Sequence, residues 1–126
     1  MDILLIEDDW IVRQLLTEVL EDEGYRVLPV DNGYEALTLV QAGLNLPHLI
    51  LLDLRMPVMD GWQFLETIDQ NLALAHIPVV IISAENNLAL TVGMHPITHP
   101  VVCLIEKPID LDDLLNTVAT YRLPSG

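Results

Sequence analysis

Four short apolar runs, each followed by polar residues, restrict the possible fold of this chain more than any other feature. They cover residues 3–6, 49–52, 79–82 and 101–105. Uninterrupted apolar runs of this length are typical of strands buried on both faces, as in a parallel sheet covered by helices. We therefore predict that each run is a strand of one parallel sheet.

The polar residues that end these runs are predicted to meet at one place. They are Glu7, Asp8 and Asp9 after the first run, Asp53 after the second, Ser83 after the third and Lys107 shortly after the fourth. The carboxyl ends of parallel strands lie at one edge of a sheet, where open α/β sheets bind their ligands. The sequence therefore predicts an acidic site that contains one cation.

Helical patterns separate the strands. Apolar residues recur at helical spacing over residues 11–20, and further helices are marked by apolar residues within 36–40, 64–68 and 111–121. A fifth strand is predicted from Tyr25 to Val30. The predicted fold class is α/β, a doubly wound five-stranded parallel sheet with helices on both faces.

The predicted helices carry capping residues at their ends. Asp9, Asn32 and Asp110 are predicted N-caps, because Asp and Asn side chains accept hydrogen bonds from N–H groups of the first helical turn. Glu35, three residues after Asn32, has the spacing of a capping box. Gly24 is the predicted stop of the first helix, and Gly43 that of the second.

The segment between the third and fourth apolar runs has a less regular pattern. Residues 86–92 allow two helical turns, but Gly93, Pro96 and Pro100 interrupt any longer helix. The fourth helix of the fold is therefore predicted to be short or irregular.

Length and composition indicate one domain. A chain of 126 residues with 52% hydrophobic residues can fill a core of that size. We expect the domain to cover residues 1–122, with a tail at 123–126. Cys103 lies inside an apolar run and is predicted to be a small buried hydrophobic residue.

The charge balance limits the classes of partner. The net charge is −14 with only five Lys and Arg residues, which argues against direct binding of nucleic acid. We therefore expect the domain to act through a partner protein. Every apolar stretch is shorter than the about 20 residues that span a bilayer, and acidic residues interrupt the N-terminus where a signal peptide would be basic and then apolar. These features predict a cytoplasmic protein outside the membrane.

The chain resembles the receiver domain of two-component response regulators, which have the CheY-like, flavodoxin-like fold. The matching elements are Glu7-Asp8, Asp53, Met56-Pro57, Asp60-Gly61, Ser83-Ala84 and Lys107-Pro108. They occur in the order of that family, each at or just beyond a predicted strand end. The resemblance implies that Asp53 accepts a phosphoryl group from a histidine kinase or a histidine phosphotransfer protein. It also implies a cis Lys107-Pro108 peptide.

The residue types at the predicted site suit phosphoryl transfer. A carboxylate that attacks phosphorus is repelled by the incoming phosphoryl group, so a divalent cation is needed between them. Mg²⁺ prefers oxygen ligands and commonly uses one or two carboxylates, here Asp8 and Asp53. The resemblance adds Glu7 through a bound water and the backbone carbonyl of Arg55. Lys107 is expected to neutralise one phosphoryl oxygen, and the Ser83 hydroxyl to donate a hydrogen bond to another.

The sequence departs from the receiver pattern where a signal leaves the domain. Receivers usually carry Tyr or Phe three residues before the lysine, and here that position is Leu104. We therefore expect the aromatic rearrangement of other receivers to be weak or absent. Phosphorylation is instead expected to reorder residues from about Ala84 to Pro100.

Two other functions stay open on the sequence. The chain could be a pseudo-receiver, an interaction module that no longer takes phosphate, although all the site residues are retained. A phosphohydrolase of the haloacid dehalogenase type also uses an Asp after a strand. Those enzymes need a second Asp two residues later, where this chain has Arg55. The sequence therefore favours a signalling domain that is not an enzyme.

Overall fold

The computed structural model describes residues 2–42, 46–54, 61–71, 74–84 and 101–121. Five parallel strands form one sheet: β1 (Asp2–Ile6), β2 (Arg26–Val30), β3 (Leu49–Asp53), β4 (Val79–Ser83) and β5 (Val101–Glu106). Within the described residues the helices are α1 (Trp10–Asp22), α2 (Gly33–Gln41), α3 (Gly61–Asp69) and α4 (Leu111–Thr120). The α/β class and the doubly wound parallel sheet are confirmed. The short helix predicted within 86–92 lies outside the described residues, as does Gly43.

The strand order places the carboxyl ends of β1 and β3 side by side. The order across the sheet is β2-β1-β3-β4-β5, with all pairs parallel. Because the chain winds outward in both directions from β1 and β3, the connections that follow these two strands leave on opposite faces and open a crevice at this point. Ile6 pairs with Leu52 in the register of β1 and β3, so the next residues, Glu7 and Asp53, are level with each other.

Helices cover both faces of the sheet. Alternate residues of each strand point to opposite faces, and the apolar runs therefore build two separate core layers. One layer joins the sheet to α2 and α3, with Leu4, Ile6, Ala36, Leu52, Phe64 and Ile81 among its buried residues. The other joins the sheet to α1 and α4, with Ile3, Leu5, Leu16, Leu51, Ile82 and Leu114 among them. Burial on both faces explains the uninterrupted apolar runs of β1, β3 and β4, whereas β2, at the edge of the sheet, is largely exposed.

The ends of the helices follow from their capping residues. The Asp9 side chain accepts hydrogen bonds from the N–H groups of Ile11 and Val12, which confirms it as the N-cap of α1. The Asn32 side chain caps α2 through the N–H of Glu35. Asp110 caps α4 in the same way. Gly24, just past the end of α1, has a φ of 92°, which glycine adopts without the steric cost that a Cβ would bring.

Three details differ from the sequence expectation. Strand β2 begins at Arg26 and not at Tyr25, because the N–H of Tyr25 still bonds to the Leu20 carbonyl at the end of α1. Cys103 is half-buried and packs against the α1 and α4 layer. On α1, Ile11 and Leu15 are exposed although both belong to the apolar repeat. A helix on the outside of a sheet buries only the part of its apolar stripe that meets the sheet.

Within the described ranges, every helix falls short of the length and apolarity that crossing a bilayer requires.

Candidate functional site

Glu7 and Asp53 are brought together by the ends of neighbouring strands. Asp53 is the last residue of β3, and Glu7 directly follows β1. The N–H of Glu7 donates to the Val30 carbonyl over 3.1 Å, which extends the pairing with β2 by one residue. Both acidic residues are buried. Strand pairing thus fixes two carboxylates inside the crevice at the edge of the sheet.

Three acidic side chains form one cluster. Glu7, Asp8 and Asp53 each offer a carboxylate oxygen, and these oxygens all lie within 4.8 Å of one another. Asp8 is exposed, whereas the other two are buried, so the cluster opens to solvent on the Asp8 side. Like charges at such distances repel each other and favour either a bound proton or a cation.

Lys107 supplies a positive charge inside this cluster. Its Nζ donates to Oε1 of Glu7 over 2.5 Å and to Oδ2 of Asp53 over 3.2 Å. The side chain is only 21% exposed. Its backbone N–H donates to the Ser83 carbonyl over 2.8 Å, so the lysine is positioned by β4 as well. The Lys107-Pro108 peptide is cis, as expected.

The protonation of the cluster reflects burial and crowding. Burial, together with a hydrogen bond that a protonated Glu7 shares with Asp53, raises the pKa of Glu7 to about 8, and the contact with Lys107 only partly offsets this. Burial alone would lower the pKa of Lys107, but the hydrogen bond to Glu7 and the charges of Asp53 and Glu7 outweigh it, so the pKa is raised. Without a metal, Glu7 is therefore mainly neutral at pH 7 while Lys107 is charged.

The donor set fits a hard divalent cation. All three ligand atoms are carboxylate oxygens, which such cations prefer. When the Glu7 carboxyl is ionised, its buried Oε2 lacks a hydrogen-bond partner among the described residues. A buried oxygen of this kind is costly to leave unsatisfied. A cation, or a water bound to it, would satisfy that oxygen.

The other predicted site residues lie as follows. Ser83 is the last residue of β4, is buried, and lies one position beyond Ile82, the partner of Asp53 in the register of β3 and β4. It therefore lies at the same edge of the sheet as the acidic cluster. Arg55, whose carbonyl was expected to be a ligand, lies outside the described residues.

Two residues near the cluster were not assigned a role from the sequence. A Cβ on Gly61 would lie 2.7 Å from the Cα of Leu54 and 2.9 Å from the carbonyl oxygen of Asp53. Gly61 therefore lets α3 approach the end of β3 closely. Nη1 of Arg13 donates to the Glu7 carbonyl over 2.8 Å. Gly61 had a sequence signal in the Asp60-Gly61 pair, whereas a single arginine on a helix gives none.

Comparison with known proteins agrees with this geometry. The response regulator receiver domain family matches residues 3–119. Sporulation initiation phosphotransferase F of Bacillus subtilis is 34% identical over 125 residues, which are 94% of this chain and 91% of that protein.

Solved structures extend the comparison to the fold. The signal receiver domain of a putative Luxo repressor protein from Vibrio parahaemolyticus has a TM-score of 0.81 at 32% identity, covering 95% of this chain and 88% of that one. A chemotaxis response regulator of Vibrio cholerae shares the fold with a TM-score of 0.82 at 24% identity, covering 96% of this chain and 98% of that one. The chain therefore belongs to the response regulator receiver domain family, the phosphoacceptor switches of two-component signalling.

Proposed function

We propose that Asp53 is the phosphoacceptor, and that it receives a phosphoryl group from a histidine kinase or a histidine phosphotransfer protein. The observation that carries this proposal is the shared lysine, since Nζ of Lys107 lies 3.2 Å from Asp53 and 2.5 Å from Glu7. A charged lysine held between two buried carboxyl groups, of which Glu7 is mainly neutral at pH 7, suits an incoming anion. The family match supports the proposal further.

The acidic cluster would hold Mg²⁺. Asp8 and Asp53 would be direct ligands, Glu7 would act through a bound water, and the backbone carbonyl of Arg55 would complete the protein ligands. When bound, Mg²⁺ supplies positive charge that reduces the repulsion between the attacking carboxylate and the phosphoryl group. The cluster of three carboxylate oxygens supports this assignment.

Each remaining residue would act on the phosphoryl group itself. Lys107 would pair with one phosphoryl oxygen, and the Ser83 hydroxyl would donate to another. Asp53 is buried at the end of β3, which limits the access of water to the acyl phosphate. The domain would catalyse only its own phosphorylation and slow dephosphorylation, since Asp53 would both attack the phosphoryl group and carry it.

Signal output would depend on the residues that follow Ser83, of which 85–100 lie outside the described part of the chain. Leu104 is half-buried against the layer formed with α2 and α3, and it has neither a ring nor a hydroxyl to present to a partner. Movement of Ser83 toward the phosphoryl group would draw residues 84–100 with it and change the affinity for a downstream protein. We further propose a receiver domain over residues 1–122 with a tail at 123–126, in the cytoplasm.

Phosphoryl acceptance is tested by intact-mass measurement after incubation with acetyl phosphate and Mg²⁺. We expect wild type to gain one phosphoryl group, and Asp53→Asn or excess chelator to prevent the gain. No gain in wild type would support a pseudo-receiver instead. Sustained turnover of a phosphate ester such as p-nitrophenyl phosphate would support a hydrolase.

A further inference from the structure

Arg13 connects helix α1 to the loop that carries two of the acidic residues. Nη1 of its guanidinium donates to the Glu7 carbonyl over 2.8 Å and approaches the Asp8 carbonyl at 3.5 Å. Its backbone N–H donates to the Asp9 carbonyl over 2.8 Å. One residue therefore contacts all three residues between β1 and α1.

These contacts fix Glu7 at both of its backbone polar groups. The N–H of Glu7 bonds to the Val30 carbonyl of β2, and its carbonyl accepts from Arg13. A charged donor makes a stronger and shorter hydrogen bond than a neutral one. The backbone of Glu7 is thus held between the sheet and α1, which leaves its side chain in a defined position beside Asp53.

The Asp8 side chain is less enclosed by its surroundings than that of Glu7. It is exposed, it precedes the helix cap Asp9, and its carboxylate lies within 4.8 Å of those of Glu7 and Asp53. Repulsion from the Asp53 carboxylate tends to push the exposed Asp8 carboxylate out of the cluster. Arg13 opposes this movement from the backbone side, where the guanidinium does not compete with a cation for the carboxylate oxygens.

We propose that Arg13 is a positioning residue for the metal-binding acidic cluster, acting through the carbonyls of the loop from Glu7 to Asp9. This inference rests on the proposed Mg²⁺-dependent function. Groups that orient metal ligands without touching the metal typically contribute about 10–100-fold to metal affinity. Loss of the guanidinium should therefore weaken Mg²⁺ binding without removing any ligand.

The test compares Arg13→Met with Arg26→Met by calorimetric titration with MgCl₂. Met keeps much of the aliphatic length and removes the charge in both variants. Arg26 is the matched control because it pairs with Asp2 over 3.1 Å at the opposite end of β1 and is 82% exposed. We expect the Kd for Mg²⁺ to rise roughly tenfold in Arg13→Met, with Arg13→Lys between it and wild type. We expect Arg26→Met to match wild type. Equal affinities in the two Met variants would overturn the inference.

A second readout separates positioning from a general structural role. The rate of labelling by acetyl phosphate is measured against Mg²⁺ concentration for the same variants. Positioning predicts that Arg13→Met needs more Mg²⁺ for half-saturation but reaches the wild-type rate at saturation. A lower maximal rate with unchanged half-saturation would contradict it. If Arg13→Met does not fold, Arg13→Gln and Arg26→Gln are compared by the same criteria.

Asp8→Asn distinguishes failure of this inference from failure of the proposed function. One possible result is that wild type binds Mg²⁺, Asp8→Asn does not, and Arg13→Met and Arg26→Met have the same Kd for Mg²⁺. In that case only the role of Arg13 is wrong. If wild type shows no Mg²⁺ binding, the metal-dependent function is itself wrong, and the inference falls with it.

Discussion

Lys107 and Glu7 are 100 positions apart in the sequence, yet Nζ of the lysine donates to Oε1 of the glutamate over 2.5 Å. The same ammonium lies 3.2 Å from Asp53. The lysine is therefore already hydrogen-bonded to two carboxyl groups before any phosphoryl group arrives. An incoming phosphoryl oxygen would have to compete with Glu7 for it, and Mg²⁺ near Glu7 would make that exchange easier.

Removal of Lys107 should destabilise the fold in a pH-dependent way. In Lys107→Met the two buried carboxylates lose their shared cation, and breaking a buried pair costs about 3 kcal/mol. We expect the free energy of unfolding to fall by about this amount at pH 9, where Glu7 of wild type is ionised. At pH 6, where Glu7 is neutral, we expect a smaller fall. Urea denaturation at both pH values measures it, with the exposed Arg26→Met as the control. An equal loss of stability at both pH values would contradict an ion pair between Lys107 and ionised Glu7.

Stability of the metal-free protein should fall as pH rises toward 8. Because the pKa of Glu7 is raised from its usual 4.5 to about 8, the folded state binds this proton more tightly than the unfolded state. The resulting stability is fully present below pH 4.5 and lost as pH rises through about 8, with a slope of up to about 1.4 kcal/mol per pH unit. Denaturation of wild type and Glu7→Gln across this range isolates the effect. Parallel pH profiles for the two proteins would count against it.

Gly61→Ala should disturb the acidic site, whereas Gly24→Ala should not. The added Cβ at Gly61 would lie 2.7 Å from the Leu54 Cα and would push α3 away from the end of β3. We expect the free energy of unfolding to fall by about 1–3 kcal/mol and acetyl phosphate to label Asp53 more slowly. At Gly24 the φ of 92° makes alanine unfavourable, but nothing lies within 4 Å of its Cβ. We expect Gly24→Ala to lower the free energy of unfolding by about 1 kcal/mol and to leave the rate of Asp53 labelling unchanged. Equal labelling rates in both variants would argue against the role of Gly61.

Phosphorylation should change the residues after Ser83 more than it changes Leu104. Leu104 packs against the layer under α2 and α3 and has no alternative polar partner to move toward. Hydrogen exchange with and without beryllofluoride, a phosphoryl mimic, measures this directly. We expect altered protection within residues 84–100. Changes confined to Leu104 and α4 would show that a different route carries the signal.

The fold and the cluster could be predicted from sequence because their causes are local. Asp9 and Asn32 cap helices through hydrogen bonds to residues at most three positions away. The apolar runs of β3 and β4 stop directly before Asp53 and Ser83, which marks these residues as the carboxyl ends of the two strands. The contacts of Gly61 could not be predicted, because they depend on how closely α3 packs on β3. The exposure of Ile11 likewise depends on how much of α1 the sheet covers, which the helical repeat does not encode.

The roles of Arg13 and of the lysine contact with Glu7 also required the structure. The sequence placed Lys107 at the site but paired it with a phosphoryl oxygen. In the structure it is bonded to Glu7, whose burial and neighbours raise its pKa. Such contacts form between segments that are far apart in the sequence, so residue spacing does not predict them.

The position of the acyl phosphate tests most directly whether Asp53 is the phosphoacceptor. After labelling with acetyl phosphate and Mg²⁺, borohydride reduction converts a phosphorylated aspartate to homoserine, which peptide mass spectrometry can place in the sequence. We expect homoserine at position 53 in wild type and none in Asp53→Asn. Homoserine at position 8 or 9 in wild type, with position 53 unmodified, would contradict the assignment of Asp53 as the phosphoacceptor.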